Sequence, residues 1–465
     1  MKLNALKVLI GILTFGILVA SPMTFAEYDI TDLGTLGGNR SEGVDMNNST
    51  QIIGNSQDGQ PNNYPTFYWE NGQMTSLTPL GIGGAPIAIS NSGLVLASSW
   101  EDGVTRLWSL DEGWNINLQS ISIPPYHMWQ IFDVNSNGMV VGTLINSTLG
   151  YKGFIYQDTN GNHQVDQNEI IDLGPMLATH INEAGEVSGA YWPTIPSHSH
   201  AALWRNGNII DLGMLPGHFA SFTLGLNDNG QIVGYSTNNF NSPPQPMLWQ
   251  VDSGGINVSP IQTLPGASST LRFYGNINNH GDIVGSSTVN GNRHLCLWRN
   301  GQIFDLANLI PSNSGWQLSL GPSEGAAAVG SINDEGQILG TGYHNGQLRA
   351  FILTPVNHPP VLNPIGNKTV RGGRLLQFNV SATDPDPNTT LHLITPSLPQ
   401  GATFVDNGNG AGTFSWRPAA NLNGDYSIDF IVSDGDLTDH EQILIYVQGL
   451  QVITAVAHPD PAPEP

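Results

Sequence analysis

The chain has 465 residues and carries 37 acidic side chains against 14 Lys and Arg, a formal net charge of −23. Such a surface argues against nucleic acid and anionic membrane as partners and suits cations, calcium above all. Charged residues are only 11% of the chain, against roughly 25% in an average soluble protein, and the single Cys296 excludes an internal disulfide and a cysteine-based zinc site.

Residues 1–26 read as a secretory signal peptide. Lys2 and Lys7 precede an apolar run from Val8 to Ala20, and Thr24-Phe25-Ala26 sets small residues three before and one before a cut. No later stretch is apolar enough to span, so no membrane insertion is expected. The mature chain is expected outside the cell, or in the periplasm of a Gram-negative bacterium. Without disulfides it must be stabilised by core size, repetition or metals.

From residue 46 the chain is an array. "MNNSTQIIG" starts at Met46 and recurs as "ISNSGLVLA" from Ile89, "VNSNGMVVG" from Val134, "INEAGEVSG" from Ile181, "LNDNGQIVG" from Leu226, "INNHGDIVG" from Ile277 and "INDEGQILG" from Ile332. Asn and Gly around the turn supply the positive φ of a β-hairpin. Each copy is followed by a second hairpin, as in "TFYWENGQMTSL" and "ALWRNGNIIDLG". Four strands per unit of 40–50 residues is the signature of a β-propeller blade. The last copy stops at its third strand, "LRAFILTP", while the mature chain opens on an orphan fourth strand, "YDITDLGTLGG". The expected fold over 27–355 is therefore a seven-bladed propeller of four-stranded blades, closed by the N-terminal strand, with no free sheet edge.

The third copy holds the most specific chemistry, "DTNGNHQVDQNE" from Asp158. Asp158, Asn160, Asn162, the backbone carbonyl of Gln164, Asp166 and Glu169 stand at positions one, three, five, seven, nine and twelve of a calcium loop. Val165 at position eight is the residue such loops tuck inward. Position six, usually Gly, is His163, one of the few other types enriched at positive φ. No helices flank the loop, so it is a widened hairpin turn and not an EF-hand. It is expected on the propeller face opposite the variable loops "SQDGQPNNYP", "AYWPTIPSHSH" and "YSTNNFNSPPQP", where binding is expected.

Other candidates read as structural. His200, in "SHSH", occupies a repeat-wide position shared with His294. Cys296 falls on a strand as a small buried hydrophobe. Trp69, Trp108, Trp204, Trp249 and Trp298 share one repeat position and belong to the core. Trp129, Trp192 and Trp316 fall outside it and are candidates for ligand stacking. No Gly-x-Ser-x-Gly motif occurs, and no catalytic constellation can be named.

The "DLGTLGG", "INDEGQILG" and "LIPSNSGW" stretches, with degenerate triplets at His200-Ala201-Ala202, His294-Leu295-Cys296 and Arg349-Ala350-Phe351, resemble the probable extracellular HAF-repeat family. That resemblance implies an array and an exported protein but no shared activity. After a Pro-rich linker, residues 356–447 alternate in about seven apolar stretches and are expected to form a β-sandwich. "LPQGATF", "GTFSWRP" and "VSDGDLTD" resemble the Ig-like, cadherin-like domains of bacterial surface proteins. The resemblance implies calcium at Asp384, Asp386, Asp434, Asp436 and Asp439, which are also ordinary turn residues. Arg371-Gly372-Gly373 stands where such domains often place one acidic ligand. Residues 448–465 are a Pro-rich tail expected to be disordered.

The sequence thus predicts a monomeric, secreted binding or adhesion protein with structural Ca2+, its ligand a glycan or protein. The alternative is an extracellular propeller enzyme acting on polysaccharide as hydrolase or lyase. Fold alone does not decide between them.

Overall fold

Alternating apolar and polar residues between tight turns fold five of the seven repeats as antiparallel sheets of four strands in chain order, and the last two as five-stranded sheets. The computed structural model describes residues 27–99, 102–192, 198–239, 244–267, 276–320, 328–386 and 389–449. The expected signal peptide, 1–26, and nearly all of the expected tail, 448–465, lie outside the described residues. Contacts divide the chain into two compact units, Met1–Pro355 and Val356–Pro465. Among the described residues there is no α-helix, and no helix is long and apolar enough to cross a membrane.

The first unit is propeller-like. Its seven sheets span residues 41–76, 86–117, 127–174, 176–213, 220–260, 276–305 and 328–355, here sheets 1 to 7. The N-terminal strand Tyr28–Asp32 pairs antiparallel with the third strand of sheet 7, Gln347–Pro355. Tyr28 is fully buried, its N–H donates to the Leu309 carbonyl, and the Arg299 guanidinium of sheet 6 lies 5.9 Å from its ring centre. Asn71, Asn206 and Asn300 adopt φ of 51°, 52° and 51°, each followed by a Gly at positive φ. These are the tight hairpin turns between third and fourth strands.

The motif asparagine does something the sequence reading did not assign it. In the turn after each first strand, positive φ falls on Thr50 in sheet 1 and on Gly93, Gly138, Gly185, Gly230, Gly281 and Gly336 in the others, never on the asparagine. Asn47, Asn135, Asn182, Asn227, Asn278 and Asn333 are instead buried at 3–4% exposure. Each amide oxygen accepts backbone N–H bonds from its own turn, as Asn227 Oδ1 does from Asn229 and Gln231. Each amide nitrogen reaches the neighbouring sheet. Asn47 donates to the Ser90 carbonyl, Asn135 to Asn182, Asn182 to Asn227, Asn227 to Asn278, Asn278 to Asn333, and Asn333 back to Asn47. Only sheet 2, with Ser90 at this position, lacks the donor. The first strands follow the same order, each contacting the next, with sheet 7 contacting sheet 1.

Between the sheets lie apolar clusters. Trp69, Trp249 and Trp298 are buried and Trp108 and Trp204 partly so, each within such a cluster. The second unit is a sandwich of two four-stranded sheets, one strand more than the sequence pattern suggested. One sheet joins Val361–Leu362, Leu376–Thr383, Ala411–Trp416 and Ala402–Gly408; the other joins Lys368–Arg371, Thr438–Gln448, Gly424–Ser433 and His392–Ile394. Phe414, Trp416 and Phe430 fill its core.

Asn227→Ala removes two donor and two acceptor bonds from a buried site. It is expected to destabilise the protein by about 2–4 kcal/mol in urea unfolding, whereas Asn208→Ala, at the exposed start of a strand, should change it by less than about 0.5 kcal/mol.

Candidate functional site

A cavity of about 160 Å³ is lined by the first strands and following turns of all seven sheets. Its rim is a second hydrogen-bonded circuit, built from the residue after each motif asparagine. Glu183 N–H donates to Asp228, Asp228 to Asn279, Asn279 to Asp334 and Asp334 to Asn48. Asn48 donates to Asn91, whose amide reaches Glu183, and Glu183 also takes the Ser136 N–H and hydroxyl.

Two positions before the asparagine the repeat varies freely: Asp45, Ala88, Asp133, His180, Gly225, Asn276 and Ser331. In six of the seven sheets this position follows a register shift in the first strand, which re-aims the side chain. Asp45, Asn276 and Ser331 line the cavity. Burial pushes the Asp45 carboxyl up to about 6 against its backbone N–H bonds. Burial, and less so the charge of Asp45, pushes Asp133 up to about 7. Burial holds His180 down at about 4. Both carboxylates are engaged within the frame. Asp45 accepts the N–H of Met46 and, from sheet 2, of Ile89; Asp133 accepts that of Val134 and, from sheet 4, of Ile181. The sequence reading missed these residues. The available signal was a position that varies inside an otherwise repeated motif.

At the other ends of these first strands, where second and third strands meet, lies a run of aromatic rings. Trp129 is 43% exposed. Its ring centre lies 5.9 Å from that of Phe132 and 5.1 Å from that of Tyr151, and Tyr151 stacks on Trp192 of sheet 4 at 5.4 Å. Trp129 and Trp192, two of the three Trp that fall outside the repeat position, are thus linked through Tyr151 across two sheets. The third does not join them. Trp316 stacks on His344 and packs edge-on against Phe351 in the core of sheet 7.

The 157–169 turn joins the third and fourth strands of sheet 3, Gly150–Tyr156 and Ile170–Gly174. Asp158 accepts the N–H groups of Gly161 and His163, and His163 adopts φ 57°. Asn160 and Asn162 accept the N–H two residues on and donate their amides to Asp166. The Tyr156 hydroxyl donates to the Gln164 carbonyl, and Val165 packs on the sheet 2–3 core. Glu169 is 5% exposed. Its Oε1 accepts Thr159 N–H, Thr159 hydroxyl and Asn160 N–H, and its Oε2 is buried without a partner. Burial first, then Asp158, Glu169 and Asp166, raises the Tyr156 phenol. Among the described residues no three His, Cys, Asp or Glu side chains converge as a metal group; half of this donor set is amide and carbonyl oxygen.

The repeat-wide histidines are paired along their sheets. His200 Nδ1 lies 2.8 Å from Asp211 and His294 Nδ1 2.6 Å from Asp305. Cys296 is fully buried, and burial drives its thiol well above the ordinary range. In the Ig-like unit, Asp386 holds His358 through its N–H and Nδ1, and Asp434 accepts from Asp436, Leu437 and Asn357. Asp384 accepts the Asp386 N–H; burial, with Asp386 and Asp434 nearby, raises its carboxyl. Asp439 turns away to the Leu362 N–H, and Asp436 is exposed.

Residues 357–445 match the family model described as a bacterial Ig domain. No curated protein matches the chain. Similar solved structures include a prolyl endopeptidase, 10% identical, covering 89% of this chain and 55% of that one at a TM-score of 0.40. An endo-fucoidan hydrolase from glycoside hydrolase family 107 is 14% identical over 47% of this chain and 36% of that one, at 0.19. A protein from Lactobacillus plantarum is 10% identical over 56% and 82%, at 0.30. The chain thus spans about half the length of the first and a third of the second. At these scores the likenesses carry no argument about activity.

Asp45 and Asp133 titrate higher in the folded chain than unfolded, so the folded chain binds more protons between about pH 4 and 7. Stability is expected to fall as pH rises through that window. Asp133→Asn should flatten the fall, at the cost of one acceptor for the N–H groups of Val134 and Ile181, measured by chemical denaturation at several pH values. An unchanged slope would remove Asp133 as its source.

Proposed function

We propose that the chain is a secreted, non-catalytic binding protein of a bacterial envelope or extracellular matrix, which holds a polysaccharide on the variable-loop face of residues 28–355. In this reading those residues form a seven-bladed propeller of the HAF-repeat type, closed by the N-terminal strand. The pairing of Tyr28–Asp32 with Gln347–Pro355 and the return of the asparagine circuit to Asn47 support it. The bacterial Ig domain fits an extracellular or surface protein.

One observation carries the choice of ligand: the run of Trp129, Tyr151 and Trp192 on the face of the most variable loops. Sugar rings present flat C–H faces that lie well on aromatic rings, and their hydroxyls need polar neighbours. Exposed His127 and Gln130 flank Trp129 on its own strand. A net charge of −23 disfavours polyanionic glycans, so a neutral or amine-bearing chain is expected. The alternative, a polysaccharide hydrolase or lyase, draws its support from the raised carboxyls of Asp45 and Asp133. Both spend their oxygens on backbone N–H groups, as staples do.

A glycan array run with calcium and with chelator, followed by titration of the hits, tests this. Trp129→Ala and Tyr151→Ala should each weaken binding about tenfold without loss of folding. Product release from a bound glycan would favour the enzyme, and the absence of any glycan hit would sink the polysaccharide reading.

A further inference from the structure

The 157–169 turn differs from the other third-to-fourth-strand turns in burying a carboxylate. A solvated polar insertion has no reason to do so, because a buried carboxylate oxygen without a donor is costly. Glu169 Oε1 is saturated by three donors of the loop itself, which fixes the carboxylate and leaves Oε2 spare inside. The bend at position six is already made, with His163 at φ 57°. A residue with a Cβ pays roughly 1–2 kcal/mol for that conformation. A contact from the next sheet opposes the cost. The indole of Trp114, at the start of the fourth strand of sheet 2, stacks on the His163 ring at 4.4 Å and 13°. Such pairs contribute about 0.5–1.5 kcal/mol. His163 Nδ1 also lies 3.3 Å from Asp158 Oδ2.

We infer that this turn binds calcium through Asp158, Asn160, Asn162, the Gln164 carbonyl, Asp166 and Glu169, and that Trp114 stacked on His163 couples its occupancy to the contact between sheets 2 and 3. The two asparagine amides now face Asp166 through nitrogen; turning them over presents their oxygens to the ion and releases the N–H groups of Asn162 and Gln164. Oxygen donors in a yielding loop suit calcium over magnesium, which demands near-ideal octahedral geometry and holds its water. Three carboxylates and a non-Gly bend set a weak, extracellular-type affinity, on the order of 0.1–1 mM. The coupling falls in a telling place, since sheet 2 is the one whose Ser90 donates no amide to sheet 3. The inference does not depend on the glycan reading.

The test is calorimetric titration of the full mature chain with calcium and with magnesium, paired with tryptophan fluorescence. Saturable calcium binding in the stated range is expected, at least tenfold tighter than magnesium. The fluorescence change should vanish in Trp114→Phe while calorimetric binding persists within about threefold. Asp158→Ala and Glu169→Gln should each weaken binding at least tenfold; if Glu169→Gln fails to fold, Asp158→Ala decides alone. No binding up to about 10 mM calcium, or wild-type binding by Asp158→Ala, overturns the site. Binding with a fluorescence change that survives Trp114→Phe overturns the coupling.

Discussion

A side-chain amide passed from sheet to sheet holds the first unit together. A sheet alone has one apolar face too few to be stable, and packing neighbours face to face leaves their turns to find partners. The motif asparagine meets both needs. Its oxygen caps the hairpin that follows each first strand, and its nitrogen bonds the backbone carbonyl at the same position in the next sheet. Asparagine is short, carries donor and acceptor together, and is buried where water cannot compete. Six of these bonds are formed, and the last returns to the first sheet. Once that spacing is set, the tryptophans at the ends of the third strands fill the gaps between sheets.

On such a frame, chemistry collects where the repeat is broken. The position after the first-strand bulge is free to vary and holds the half-buried carboxyls of Asp45 and Asp133. The third sheet breaks the pattern twice, with exposed Trp129 at one end and a twelve-residue oxygen-rich turn at the other. The repeat-wide histidines do the opposite. They repeat, and each is paired to the aspartate of its own sheet.

Much of this was legible beforehand. Asn-Gly pairs marked the tight turns, and the spacing of oxygen-bearing residues from Asp158 to Glu169 marked a turn whose bend at His163 and inward Val165 are both present. Trp129 and Trp192 stood out by falling off the tryptophan column. What could not be read was anything requiring neighbours in space. The motif asparagine looked like a turn residue because Asn commonly takes positive φ, yet the glycine three positions on takes it. The stacking of Trp114 on His163 joins residues from two repeats, and periodicity within a repeat is blind to it. Trp316 packs instead, because Trp316–Gln317 pairs with the second strand of sheet 7 and sets the indole on His344.

The central claim is that the asparagine bonds make the first unit one cooperative body. Native-state hydrogen exchange on the backbone N–H groups held by its amide oxygens, those of Gln51, Met139, Glu186, Gln231, Asp282 and Gln337, tests it most directly. The account predicts that all six exchange only through global unfolding, with one common free energy within about 0.5 kcal/mol. Early exchange at Gln51 and Gln337, with the middle repeats still protected, would mean an open array that frays from its ends.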